Sequence, residues 1–172
     1  MEDDNRALGL VAAGAGIGLW WLLRKPSPNF SWAELTATGT GLPNEPTLED
    51  RIRMIYAARK LLEPLRDAAG PLSVTSGFRS PAVNAAVGGA GGLDCTSFHC
   101  KGLGFDLYSA DWNGEELAGY LYGRTDLPIA EVVVYPNSPS GRIHVAADID
   151  GAPGAREFLT FDGSTYSDWN IT

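Results

Sequence analysis

Residues Ala7 to Leu23 read ALGLVAAGAGIGLWWLL, and no charge interrupts these 17 positions. As a helix the run is about 25 Å long, the short end of what crosses a hydrocarbon core. Trp20 and Trp21 followed by Arg24 and Lys25 make an interfacial anchor at one end. MEDDNR in front is acidic, unlike the basic start of a secretory signal, and no small-x-small cleavage site follows. Four glycines at about 1 kcal/mol each would weaken such a helix in water. The run therefore divides the chain: a tail at 1–6, a transmembrane anchor at 7–24, a Pro-stiffened linker at 25–29 (KPSPN), and a folded domain at 30–172. Gly14 and Gly18 lie one turn apart, a packing face for helix–helix association in the bilayer. The competing reading makes residues 7–23 a packing helix for oligomerisation. Arg24 and Lys25 outnumber Arg6, so charge bias alone keeps the domain cytoplasmic, by a margin of one residue.

The domain begins with helices. Ser31 is placed to cap FSWAELT, with Glu34 in capping-box position. Thr47 caps a longer segment with apolar residues at Leu48, Ile52, Ile55, Leu62 and Leu65; Gly70 stops it, and Pro64 is expected to kink or end it early. PLSVTSGF reads as a strand and SPAVNAAVGG as a short helix with Ser80 as cap and Pro81 first. After a glycine-rich connection come the strand FDLYSA, the helix NGEELAGYLYGR, and a hairpin of AEVVVYP and RIHVAADI; the tail reads as one short strand and coil. Helices first and a small, mostly antiparallel sheet afterwards make the class α+β.

The net charge of −8 argues against nonspecific binding to a nucleic-acid backbone, so no nucleic-acid partner is expected. Both histidines lie near strands. His99 sits in the loop before FDLY, Asp106 opens that strand, and His144 stands on the hairpin. Two imidazoles and a carboxylate with an open fourth position are the donor set of a catalytic zinc site. Such an ion acidifies water and polarises a scissile carbonyl.

SVTSGFRSPAVNAAVGG, SFHCKGLGFDLY and YPNSPSGRIHV together resemble the M15 family of zinc peptidases, which includes D-alanyl-D-alanine carboxypeptidases and phage L-alanyl-D-glutamate endolysins. Ser97, His99, Gly102, Gly104 and Asp106 match that family's S-x-H-x-x-G-x-[AG]-x-D spacing, and the resemblance spans residues 30 to about 148. It implies zinc as cofactor, with His99, Asp106 and His144 as ligands. Arg79 then matches the arginine that can bind a peptide carboxylate, for which a guanidinium fork is suited, and Ser97 supports the site by hydrogen bonding. Ser76 and Gly77 shape the loop.

One departure stands out. Many M15 enzymes carry a glutamate just upstream of the last histidine, yet nothing acidic lies between Tyr135 and His144. Asp148 and Glu131 are the candidate bases for the reaction. Cys95 and Cys100 flank His99 and could pair if the domain is exported, or, reduced, Cys100 could compete for the metal through its thiolate. The implied activity is cleavage of peptidoglycan stem peptides by a phage-encoded, membrane-anchored enzyme. The anchor would sit in a viral internal membrane or the host inner membrane, with the domain facing the periplasm, as in signal-anchor-release endolysins. The alternative is a degenerate M15 domain that binds the wall or builds a virion membrane.

Overall fold

The computed structural model describes residues 24–149 and 156–170. No helix among them is long and apolar enough to cross a membrane. Ala7–Leu23, and with it the expected anchor and its helix–helix contact, lies outside the described residues.

The segment read as a linker lies against the domain. Arg59 Nε donates to the Pro26 carbonyl at 3.0 Å, and the Glu63 carboxylate accepts from the Asn29 N–H and side-chain amide at 2.7 Å each. Phe30, fully buried, then anchors the chain. The first helix, α1 (Trp32–Leu35), starts at Ser31, whose hydroxyl accepts the Glu34 N–H. Helix α2 (Leu48–Ala57) begins with a reciprocal capping box between Thr47 and Asp50.

Pro64 does not end this helix. A π-helical turn over Ala58–Leu62 comes first, closed by the Glu63 N–H on the Ala58 carbonyl, and helix α3 (Glu63–Ala69) continues to Gly70. The widened turn takes up the missing donor and the ring's bulk. The buried face keeps Ile55, Leu62 and Leu65 of the expected stripe and adds Met54, Ala58 and Leu61, whereas Leu48 is 55% and Ile52 49% exposed. Leu48, Ile52 and Ile55 share a helical period, but that line runs along the edge of the core, with only Ile55 inside it.

Strand β1 (Leu72–Ser76), helix α4 (Pro81–Ala86, capped by Ser80) and two 3-10 turns (Gly92–Asp94 and Phe98–Lys101) lead into β2 (Gly104–Ser109). Helix α5 (Gly114–Gly123), β3 (Ile129–Val134), β4 (Ile143–Ala147), β5 (Glu157–Phe161) and β6 (Tyr166–Asp168) follow. The sheet order is β1-β2-β4-β3-β5-β6. Only β3 and β5 run parallel, so the fold is α+β with a mixed sheet. The tail, expected to hold a single strand and coil, supplies two. Tyr166–Asp168 is a short, exposed edge with no apolar alternation to betray it.

Alternation then sorts the side chains. Phe105, Leu107, Val132, Val134, Ile143 and Val145 join α2, α3 and α5 in one core. Asp106, Val133 and His144 fall on the opposite face of the same strands, and this parity produces the site.

Candidate metal centre

Asp106 and His144 are directly opposed on the β2–β4 ladder, and Val133 faces His144 from β3. His99 arrives from the 3-10 turn before β2. The Ser97 hydroxyl caps that turn, accepting the His99 N–H at 3.3 Å, and Gly102 at φ +70° ends it. The Arg79 N–H donates to the His99 carbonyl, fastening the turn to the loop after β1. All three side chains are buried, and their ligating atoms lie within 4.8 Å of one another.

The donor set fits a metal ion. Nδ1 of His99 is 2.7 Å from the Gly77 carbonyl, which can only accept, so that nitrogen carries the proton. In the neutral ring the Nε2 lone pair then points toward Oδ1 of Asp106, 3.4 Å away. Nδ1 of His144 lies 2.9 Å from the same oxygen. Burial pulls the His99 pKa down, with Asp106 opposing in part, so the ring favours its neutral form. Burial alone would raise the Asp106 pKa, but the hydrogen bond with His144 and the proximity of His99 outweigh it and hold the carboxyl far below its ordinary range. An anionic carboxylate beside two imidazole nitrogens in a buried pocket is stabilised by a cation that takes the place of their protons.

The sequence profile described as Peptidase M15 matches residues 28–129, more than half of the chain. The chain belongs to the Peptidase M15 family. Its function is therefore of the peptidase type, and His99 and Asp106 lie inside the matched region. Glu131 and His144 lie beyond it, so the strand register is what brings the last histidine to the other two. No curated protein matches the chain.

The triad lies along a cavity of about 750 Å³ in this M15 domain, also lined by Ser97, Arg79 and Glu131. Arg79 is engaged: it donates to Oδ2 of Asp106 at 2.7 Å and, through Nε, to the Ser76 hydroxyl at 2.9 Å. Glu131 places Oε1 3.4 Å from Nε2 of His144, and burial raises its pKa, with His144 opposing. Asp148 follows the end of β4, where its N–H donates to the Pro128 carbonyl and its own carbonyl accepts from the Tyr56 hydroxyl at 3.1 Å. It is not part of the cavity lining. The expected Cys95–Cys100 disulfide is present and closes the loop that carries Ser97 and His99.

Two features of the cavity were not legible as site residues. Parallel pairing of β5 with β3 carries Phe161 alongside Tyr135, with ring centres 6.1 Å apart, and Tyr166 stacks on Phe161 at 4.5 Å, forming an aromatic wall. Arg142 also lines the cavity. Its signal was the strand period itself, since Arg142 precedes His144 by two positions and shares its face.

Proposed function

We propose that the chain is a zinc-dependent peptidase, tethered to a membrane through residues 7–23, that cuts peptidoglycan stem peptides on the periplasmic side, and that it is phage-encoded. The observation that carries the metallopeptidase reading is the buried His99–Asp106–His144 cluster in a cavity large enough for a short peptide. The Cys95–Cys100 disulfide supports an oxidising compartment. The uncharged run at Ala7–Leu23 supports the tether.

His99, Asp106 and His144 would hold the ion. Bound there, zinc supplies Lewis acidity that acidifies water and polarises the peptide carbonyl. The remaining work falls to side chains. The Gly77 carbonyl keeps His99 in one tautomer, with Nε2 toward the metal position. Arg79 holds Oδ2 of Asp106 and fixes the carboxylate's plane. Glu131 serves as proton acceptor: it lines the cavity, and its raised pKa moves it toward the range where a general base is most effective. Its contact with Nε2 of His144 holds that ring as well.

The second reading, a zinc-holding domain that binds the wall or builds a virion membrane without cutting, draws on the same contact. A carboxylate held against His144 is less free to meet a substrate, and no acid stands between Tyr135 and His144. One experiment separates the two readings. The full chain is loaded with zinc, its metal content measured, and its release of peptide fragments from purified peptidoglycan followed with and without chelator, with His144→Ala as control. Stoichiometric zinc and chelator-sensitive release support the peptidase. Zinc without release supports the binding role, and absence of zinc binding overturns both.

A further inference from the structure

The cavity holds two guanidinium groups in different states. Arg79 is neutralised by Asp106 at 2.7 Å and tied to Ser76. Arg142 has no carboxylate within ion-pair distance among the described residues, and its Nε is buried with no acceptor. Its guanidinium lies 4.5 Å over the Tyr135 ring, which fixes its plane, and its backbone N–H is held by the Ser138 hydroxyl at 3.3 Å. Tyr135 cannot supply the missing anion, because burial, with the Asp106 charge adding to it, raises the phenol's pKa. Arg142 lines both the main cavity and an adjoining one of about 230 Å³ that contains Ser76, Arg79 and Asp106. It shares that position with Arg79 and Asp106, which line both cavities as well.

An oriented, partly desolvated guanidinium without an ionic partner leaves hydrogen-bonding capacity unmet, and, with Nε closed off from solvent, an anion meets it through the terminal nitrogens. We infer that Arg142, and not the engaged Arg79, is the anion-binding residue of this cavity, and that it selects peptides carrying a carboxylate. The inference rests on the peptidase reading for the ligand being a peptide; the unpaired cation does not depend on it. The carboxylate belongs either to an acidic side chain or to the chain terminus, and both present the same two planar oxygens.

The test reads binding on the full chain with metal removed by chelator, so that no cleavage intervenes. Three N-acetylated tripeptides serve as probes: Ala-Glu-Ala amide, Ala-Gln-Ala amide, and Ala-Gln-Ala with a free C-terminal carboxylate, each with an L or a D central residue. At least one carboxylate peptide is expected to bind about 10- to 100-fold more tightly than the neutral amide, and which one does so identifies the source of the anion. Arg142→Gln should abolish that preference. Arg142→Lys, with charge but no fork, should keep part of it. A wild-type chain that does not discriminate, or a glutamine variant that still does, overturns the assignment. If the glutamine variant does not fold, a lysine variant with undiminished preference overturns it equally. A chain that discriminates without cleaving peptidoglycan sinks the peptidase reading alone, and one that cleaves without discriminating sinks this inference alone.

Discussion

Nδ1 of His144 lies 2.9 Å from Oδ1 of Asp106 because the two residues are partners in the β2–β4 register. A slip of one residue would turn either side chain into the core beside Phe105 or Val145, since strand side chains alternate. The metal cluster is thus a consequence of sheet pairing, with His99 the one member placed by a turn.

Asp106 is joined to His99, His144 and Arg79. Asp106→Asn keeps the shape but removes the charge, and should lower zinc affinity by more than the about 10- to 100-fold that loss of an outer-sphere partner costs. Competition against a chromophoric chelator measures this. Unchanged affinity would show that the ion, if bound, sits elsewhere.

Gly104 lies against both the backbone of the His99 turn and the His144 ring. A Cβ there would stand 2.8 Å from the His99 backbone nitrogen, 2.9 Å from the Phe98 Cβ and 3.0 Å from Cε1 of His144. Gly104→Ala must push the turn and the ring apart, so zinc affinity should fall together with a thermal destabilisation of about 1–3 kcal/mol, the usual cost of overpacking. Wild-type affinity in this variant would mean that the turn shifts without moving His99.

Much of this was readable from the chain, for reasons that differ by element. Ser31, Thr47 and Ser80 announce helix starts because capping is local chemistry, and each caps as expected. The spacing of His99 and Asp106 is also local, one turn and half a strand. Arg79 illustrates the limit: its type suggested carboxylate binding, but whether it meets a substrate or Asp106 depends on β1–β2 pairing, which sets Ser76 opposite Asp106. The aromatic wall depends on a parallel β3–β5 contact between distant segments, and no local pattern encodes it. The π turn before Pro64 is a packing response rather than a propensity.

Acid should loosen the metal-free protein in two stages. His99 is held neutral by burial below its ordinary value of 6.5, so the unfolded chain takes up a proton there before the folded one does. Stability from this group is complete above 6.5 and lost as pH falls below it. Asp106, depressed by its histidine partners against the opposing effect of burial, contributes above its ordinary 3.8 and is lost further down. Thermal midpoints should therefore fall between about pH 7.5 and about pH 5.5, less steeply in His99→Gln. A midpoint that rises over this interval would contradict a neutral His99.

Glu131→Gln separates proton transfer from positioning. Gln keeps an oxygen that can accept from Nε2 of His144, where Oε1 now stands at 3.4 Å, but it cannot take a proton from water. Zinc affinity should stay near wild type while the turnover rate drops by about 10² to 10⁴, the usual worth of general-base help. Glu131→Ala should lose both, because the ring is then unsupported. Asp148→Asn, altering a residue that does not line the cavity, should change turnover little. If instead the glutamine variant cleaves at the wild-type rate, Glu131 only orients His144 and the proton acceptor lies elsewhere. A rate lost in Asp148→Asn alone would point to Asp148.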